Sequence, residues 1–260
     1  MHRNGIRHVL AGVALVALIA PTALADDGVY LGVTVVGALY DATYDKTVDN
    51  TLAHNASMLF AGQRLHSEDS ADRMTYEGGV LVGYRGSTGV LFYGVEADWM
   101  THQGTVTGHL QGVGTTPLRN QVGENWPEDW KLAKDNSYGL TVRVGGEVPF
   151  IDTTAYVLVG VRRVQADFSR SYVGCLLADT LCEPAQFQTG SEFFDENFNA
   201  WSFGAGIEQP IANLVARAEL RYVAHGSADQ LVLFDDLGVS VPTRLEASEV
   251  GLGVGLLWTF

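Results

Sequence analysis

The chain has 260 residues, 47% of them hydrophobic, and a formal charge of −14. So acidic a molecule repels phosphate backbones, which excludes nucleic acid as a partner. Beyond the amino-terminal segment no stretch is continuously apolar for the length of a spanning helix, so the composition leaves a soluble exported domain or a β-barrel.

The amino terminus reads as an export signal. Arg3 and Arg7 precede an apolar run from Val9 to Ala20, and Ala23-Leu24-Ala25 places small residues at Ala23 and Ala25, just before a cleavage site. The expected division is a signal peptide, 1–25, and a mature domain, 26–260, that begins at Asp26. The leader carries two arginines and no acid, so its removal makes the remainder more acidic still. No linker, repeat or low-complexity stretch divides that remainder.

Strand-like alternation then recurs along the chain. The first segment runs from Val29 to Tyr40, with Leu31, Val33, Val35 and Leu39 on one face. A second, Arg73 to Arg85, sets Tyr76, Val80, Val82 and Tyr84 against Glu77, Gly79, Gly83 and Arg85. Gly86-Ser87-Thr88-Gly89 reads as a hairpin turn. A third, Val90 to Thr101, opposes Leu91, Tyr93, Val95, Ala97 and Trp99 to Gly94, Glu96 and Asp98. A fourth, Asn136 to Val148, opposes Tyr138, Leu140, Val142 and Val144 to Gly139, Thr141, Arg143, Gly145 and Glu147. In the fifth, Thr154 to Phe168, adjacent Arg162 and Arg163 leave the register open, because one must face each way unless a bulge intervenes. The sixth, Asn199 to Gln209, sets Trp201, Phe203, Ala205 and Ile207 against Ser202, Gly204, Gly206 and Glu208. The seventh, Leu214 to His225, alternates Arg217, Glu219 and Arg221 with Ala216, Ala218, Leu220 and Tyr222.

The last segment, Leu245 to Phe260, is the most informative. From Glu249 onward, Val250, Leu252, Val254, Leu256, Trp258 and Phe260 share one face, and the other is almost bare, with Gly251, Gly253 and Gly255. A bulky face opposite a glycine face fits a barrel whose outside meets lipid. A terminal strand ending in Trp258 and Phe260 resembles the signal by which the outer-membrane assembly machinery recognises its substrates. An ordinary amphipathic edge strand is the alternative.

Eight segments joined by alternately short and long connections predict an all-β fold, an eight-stranded antiparallel transmembrane up-and-down β-barrel with short periplasmic turns and long extracellular loops. The stretches Tyr93-Gly94-Val95-Glu96-Ala97-Asp98, Trp201-Ser202-Phe203-Gly204-Ala205-Gly206-Ile207-Glu208 and Arg217-Ala218-Glu219-Leu220-Arg221-Tyr222 resemble the third, sixth and seventh strands of the small porin-family (opacity-like) outer-membrane β-barrel proteins of Gram-negative bacteria. The resemblance implies a structural or surface protein of the cell outer membrane, held in outer-membrane lipid and lipopolysaccharide. It implies no enzyme and no cofactor, and the family's name does not establish conduction.

Candidate residues follow from these readings. Cys175 and Cys182, the only cysteines, would meet an oxidising compartment after export and are expected to form a disulfide in the third long loop. Glu77, Arg85, Glu96, Asp98, Arg143, Glu147, Glu208, Arg217, Glu219, Arg221 and Glu249 face the lumen. They either line a narrow channel or pair into a plug, and an eight-stranded lumen is only wide enough for side chains to fill. His225-Gly226-Ser227 resembles the His-x-Ser of lipid A deacylases, but residues two apart on a strand share a face by geometry alone, and no catalytic or metal residues are assigned. Acidic pairs at Glu68-Asp69, Glu128-Asp129, Asp195-Glu196 and Asp235-Asp236 are read as loop surface, with divalent cations as possible partners there.

Overall fold

The computed structural model describes residues 27–121, 123–175 and 183–260; the expected signal peptide and its cleavage site, Ala23, Ala25 and Asp26, lie outside them. Ten strands follow in order: β1 (Gly28–Asp49), β2 (Arg64–Thr88), β3 (Leu91–Gln103), β4 (Thr105–Leu110), β5 (Glu128–Glu147), β6 (Thr154–Gly174), β7 (Gln188–Ile211), β8 (Leu214–His225), β9 (Ala228–Phe234) and β10 (Val239–Thr259). All pair antiparallel, and β10 returns to β1, from Tyr30↔Thr259 to Asp49↔Ser240, so the sheet closes into a ring.

The ten strands make eight staves. β3 and β4 both pair with β5 and are separated only by Gly104, whose φ of +128° a side chain would not tolerate, so the pair is one kinked stave. β8 and β9 both pair with β10 and are separated by Gly226 and Ser227. The eight-stranded barrel expected from the sequence is therefore the fold, with two staves interrupted.

Outward-facing residues change character along each stave. On β1, exposed Val29, Val35 and Leu39 give way to Asp41 and then Thr43 and Asp45. Their neighbours on β2 change in step, since Met74 pairs with Leu39 and Asp72 with Asp41. The apolar band is bounded by Tyr76, Tyr138, Trp201 and Tyr222 toward the long loops and by Tyr84, Tyr93 and Phe260 toward the short turns. A closed ring with an outward apolar band between two aromatic girdles is the architecture of an outer-membrane β-barrel.

The strands are longer than the sequence suggested. β1 continues to Asp49 and β2 begins at Arg64, because inward Tyr40, Ala42, Tyr44 and Val48 stay buried after the outward face has turned polar. Polarity marked the end of the membrane band and not the end of the sheet. Glu68-Asp69, Glu128-Asp129 and Asp195-Glu196 accordingly lie on β2, β5 and β7 and not in loops, and the expected fourth long loop shrinks to a turn over 235–238.

Inside, an apolar tier at the short-turn end comprises Phe92, Tyr156 and Leu158 beside Tyr30, Leu81, Val215 and Leu257. A second surrounds Tyr44, Trp130, Phe168 and Phe198 toward the long loops. The ionisable side chains are concentrated between these two layers.

Candidate functional site

The β pleat sends every second side chain inward, and small inward residues leave room for large polar ones. A Cβ on Gly139 would collide with the Asp98 carboxylate, and one on Gly206 with the Tyr156 hydroxyl. Into this space come six carboxylates, of Glu77, Glu96, Asp98, Glu208, Glu219 and Glu249, and six cations, of Arg85, Lys134, Arg143, Arg162, Arg217 and Arg221. The interior charges balance although the whole chain is strongly acidic.

They form two chains of contacts. In the first, Arg85 Nη1 donates to Glu208 Oε2 at 3.1 Å, and Arg217 donates from Nη2 to Glu208 Oε1 at 2.8 Å and from Nη1 to Glu96 Oε2 at 2.6 Å. Arg143 Nη2 reaches Glu96 Oε1 at 2.6 Å and Glu219 Oε2 at 3.3 Å, and Arg221 closes on Glu219 Oε1 at 2.5 Å. The hydroxyls of Tyr30 and Tyr156 donate to Glu96 and Glu219 at 2.9 and 3.0 Å.

In the second chain, Arg162 donates to Asp98 Oδ1 at 2.6 Å and to Ser137 Oγ at 2.7 Å. Ser137 meets His102 Nε2 at 2.9 Å, and His102 Nδ1 lies 3.0 Å from Glu77. Lys134 joins Glu77 to Glu249 and stands over the Tyr40 ring. Every ion of these two chains thus has an opposite charge beside it, which matters because a buried ion left unpaired costs several kcal/mol, although Asp98 Oδ2, Arg143 Nε and Nη1, and Arg162 Nε make no hydrogen bond. A cavity of about 40 Å³ remains among Asp98, Arg143, Arg162, Arg221 and Glu249, room for a water or two beside polar atoms.

Of the sequence-derived interior residues, ten are placed in these contacts. Glu147 is the exception: as the last residue of β5 it is exposed at the short-turn rim, because the strand leaves the enclosed space before reaching it. Lys134, Arg162, His102 and Ser137 were not among those residues. A bulge in β5 between Lys134 and Ser137 reverses the parity that would turn Lys134 outward. In β6 the register is regular at the adjacent arginines, with Arg162 buried and Arg163 exposed, so the even-numbered run Tyr156, Leu158, Gly160, Arg162 was the available signal.

His225 and Ser227 do not combine. The His225 ring stands edge-on to Tyr40 and Phe198 with Nε2 3.8 Å from Glu249, whereas the exposed Ser227 hydroxyl bonds Asp229 at 3.1 Å. Cys175 is buried at the end of β6, and Cys182 lies outside the described residues.

Toward the long-loop mouth a second cluster joins Lys46, Glu128, Arg170 and Glu192, with Arg170 donating to Tyr44 at 2.7 Å and to Glu192 at 2.5 Å. Burial pulls the Lys46 ammonium below its ordinary pKa, with the Glu128 carboxylate opposing the shift. This cluster floors a cavity of about 370 Å³ walled by Trp126, Tyr172, Phe234 and Val241. On the outer face, Asp45, His66 and Glu68 hold ligand atoms within 4.8 Å of one another.

No family model matches the chain, and no curated protein matches it. Among solved structures it is similar to the outer membrane protease OmpT of Escherichia coli, at 9% identity over 92% of this chain and 99% of that one, with a TM-score of 0.44. It is similar to Neisserial surface protein A at 13% identity over 86% and 97% of the two chains (TM-score 0.35) and to Ail, the attachment invasion locus protein of Yersinia pestis, at 14% over 83% and 97% (TM-score 0.27). The closed ring and its apolar band carry the fold.

Proposed function

We propose that this protein is a non-enzymatic outer-membrane barrel of structural or surface role, related to the opacity-like family, whose lumen is plugged by its own charged side chains. The observation that supports this reading is the balanced set of interior ions, each carboxylate engaged by a cation across the lumen. A selective pore concentrates one sign of charge along a water-filled path. An interior with equal numbers of both signs, in direct contact, suits a filled core.

In this reading the leader is cleaved before Asp26, the short turns face the periplasm, and the Cys175–Cys182 disulfide forms after export. The partners are outer-membrane lipid and lipopolysaccharide, the assembly machinery that reads Trp258 and Phe260, and divalent cations at Asp45, His66 and Glu68. A lipid A deacylase-like activity finds no support, because the serine lies outside hydrogen-bonding contact with the histidine that would activate it.

Fractionation of cells, liposome swelling with small sugars and mass spectrometry of lipid A test the reading together. We expect recovery in the outer membrane, no acceleration of sugar entry and unchanged acylation. Sugar entry favours the narrow channel, and loss of an acyl chain favours the enzyme; either result overturns the proposal.

A further inference from the structure

Beyond the membrane-facing band the sheet is not hydrogen-bonded all the way round. β7 pairs with β8 only from Ala200 to Ile211, because β8 ends at His225 and the chain leaves the sheet at Gly226. β9 then joins β10, and its other edge pairs with no strand among the described residues. β7 nevertheless continues to Gln188, held there by β6 alone. A seam thus separates residues 188–198 from β9; the Gly226 N–H closes its base on the Asn199 carbonyl at 3.1 Å, and among the described residues the side chains of Gln230 and Glu196 bond across it at 2.5 Å.

Among the described residues both margins of this seam are open strand edges. On each, alternate residues turn backbone N–H and C=O groups toward the gap, a template on which another strand can pair. Proteins commonly blunt such an edge with Lys or Pro. Neither 188–198 nor 228–234 contains either residue, and β9 carries the uninterrupted apolar run Leu231-Val232-Leu233-Phe234. On the outer face Phe193 of β7 is 79% exposed and Leu231 and Leu233 of β9 are 60% and 56% exposed, flanking the place where a strand between them would stand.

We propose that this seam binds an extended polypeptide segment by strand addition, and that the segment alternates apolar and basic residues. The apolar side chains would lie between Phe193 and Leu233, where cross-strand neighbours touch. The pleat puts the basic ones on the opposite, inward face, where they answer Glu196 of β7, bonded across the seam only by Gln230, and Glu192, which Arg170 also engages. A second copy of this chain is a poor occupant, because pairing like edges sets these acids against one another. The inference rests on the proposed placement of the long-loop end outside the cell, where such a segment would be met.

The test uses the folded protein in lipid nanodiscs and a labelled peptide of about eight residues alternating Lys and Val, the length of an ordinary strand. Binding should appear as a rise in fluorescence anisotropy, with slowed hydrogen exchange at 188–198 and 228–234. Methylating alternate peptide nitrogens removes the ladder donors and should weaken binding by about tenfold. The double variant F193K/L233K should weaken it comparably while keeping the gel mobility of a folded barrel. Absence of binding overturns the proposal, as does binding indifferent to both changes, which is diffuse charge attraction. Dimerisation through the seam without peptide assigns it to a second copy and also overturns it. A barrel that conducts ions yet protects the seam would remove the plug and leave this inference standing.

Discussion

Arg217 bears the most on interior stability, because it bridges Glu96 and Glu208 and is itself buried. Arg217→Ala leaves both carboxylates short of a partner, and we expect a loss of about 3–5 kcal/mol in urea unfolding of the folded barrel. Asp236→Ala, in the exposed turn after β9, should change stability by less than about 0.5 kcal/mol. Equal effects would show that the interior ions are solvated. Cys175→Ser should cost about 2–3 kcal/mol if its expected partner is Cys182, and the parent should react with thiol reagents only after reduction. The interior charges were legible wherever alternation ran unbroken, as at Arg217, Glu219 and Arg221. His102 and Lys134 fall just outside the alternating segments, which end at Thr101 and begin at Asn136, and the bulge between Lys134 and Ser137 hides the continuation of the strand from a period of two.

At the scale of the strand, closure depends on residues that touch nothing chemical. A Cβ on Gly145 would collide with the Ala155 carbonyl oxygen, which belongs to the backbone of the neighbouring stave and cannot swing aside. Gly145→Val should therefore abolish the gel mobility shift of the folded barrel, and a normal shift would contradict the packing described. Phe260 donates its backbone N–H to Val29 at 2.9 Å while its side chain stays half exposed, so it adds little packing. Deleting it should lower the amount of assembled protein in cells far more than the unfolding free energy of what assembles; unchanged surface levels would count against an assembly signal. The strand count was readable from the sequence because the membrane band obeys a period of two. The extensions past that band were not, since Asp41, Thr43 and Asp45 look like loop residues until the buried faces of Tyr40, Ala42 and Tyr44 are seen beside them.

At the scale of the molecule, the acidic charge lies outside a paired interior, and the proposed plug rests on that separation. A water-filled path would let solvent screen Glu96, Glu208 and Glu219, whereas here each is held by at least one guanidinium. The decisive measurement is the single-channel current of the purified, folded protein in a planar bilayer, with Arg217→Ala recorded alongside. The account predicts no resolved unitary current from the parent, with any current appearing only when Arg217 is removed. Steady ohmic conduction by the parent, little altered by the substitution, would contradict it.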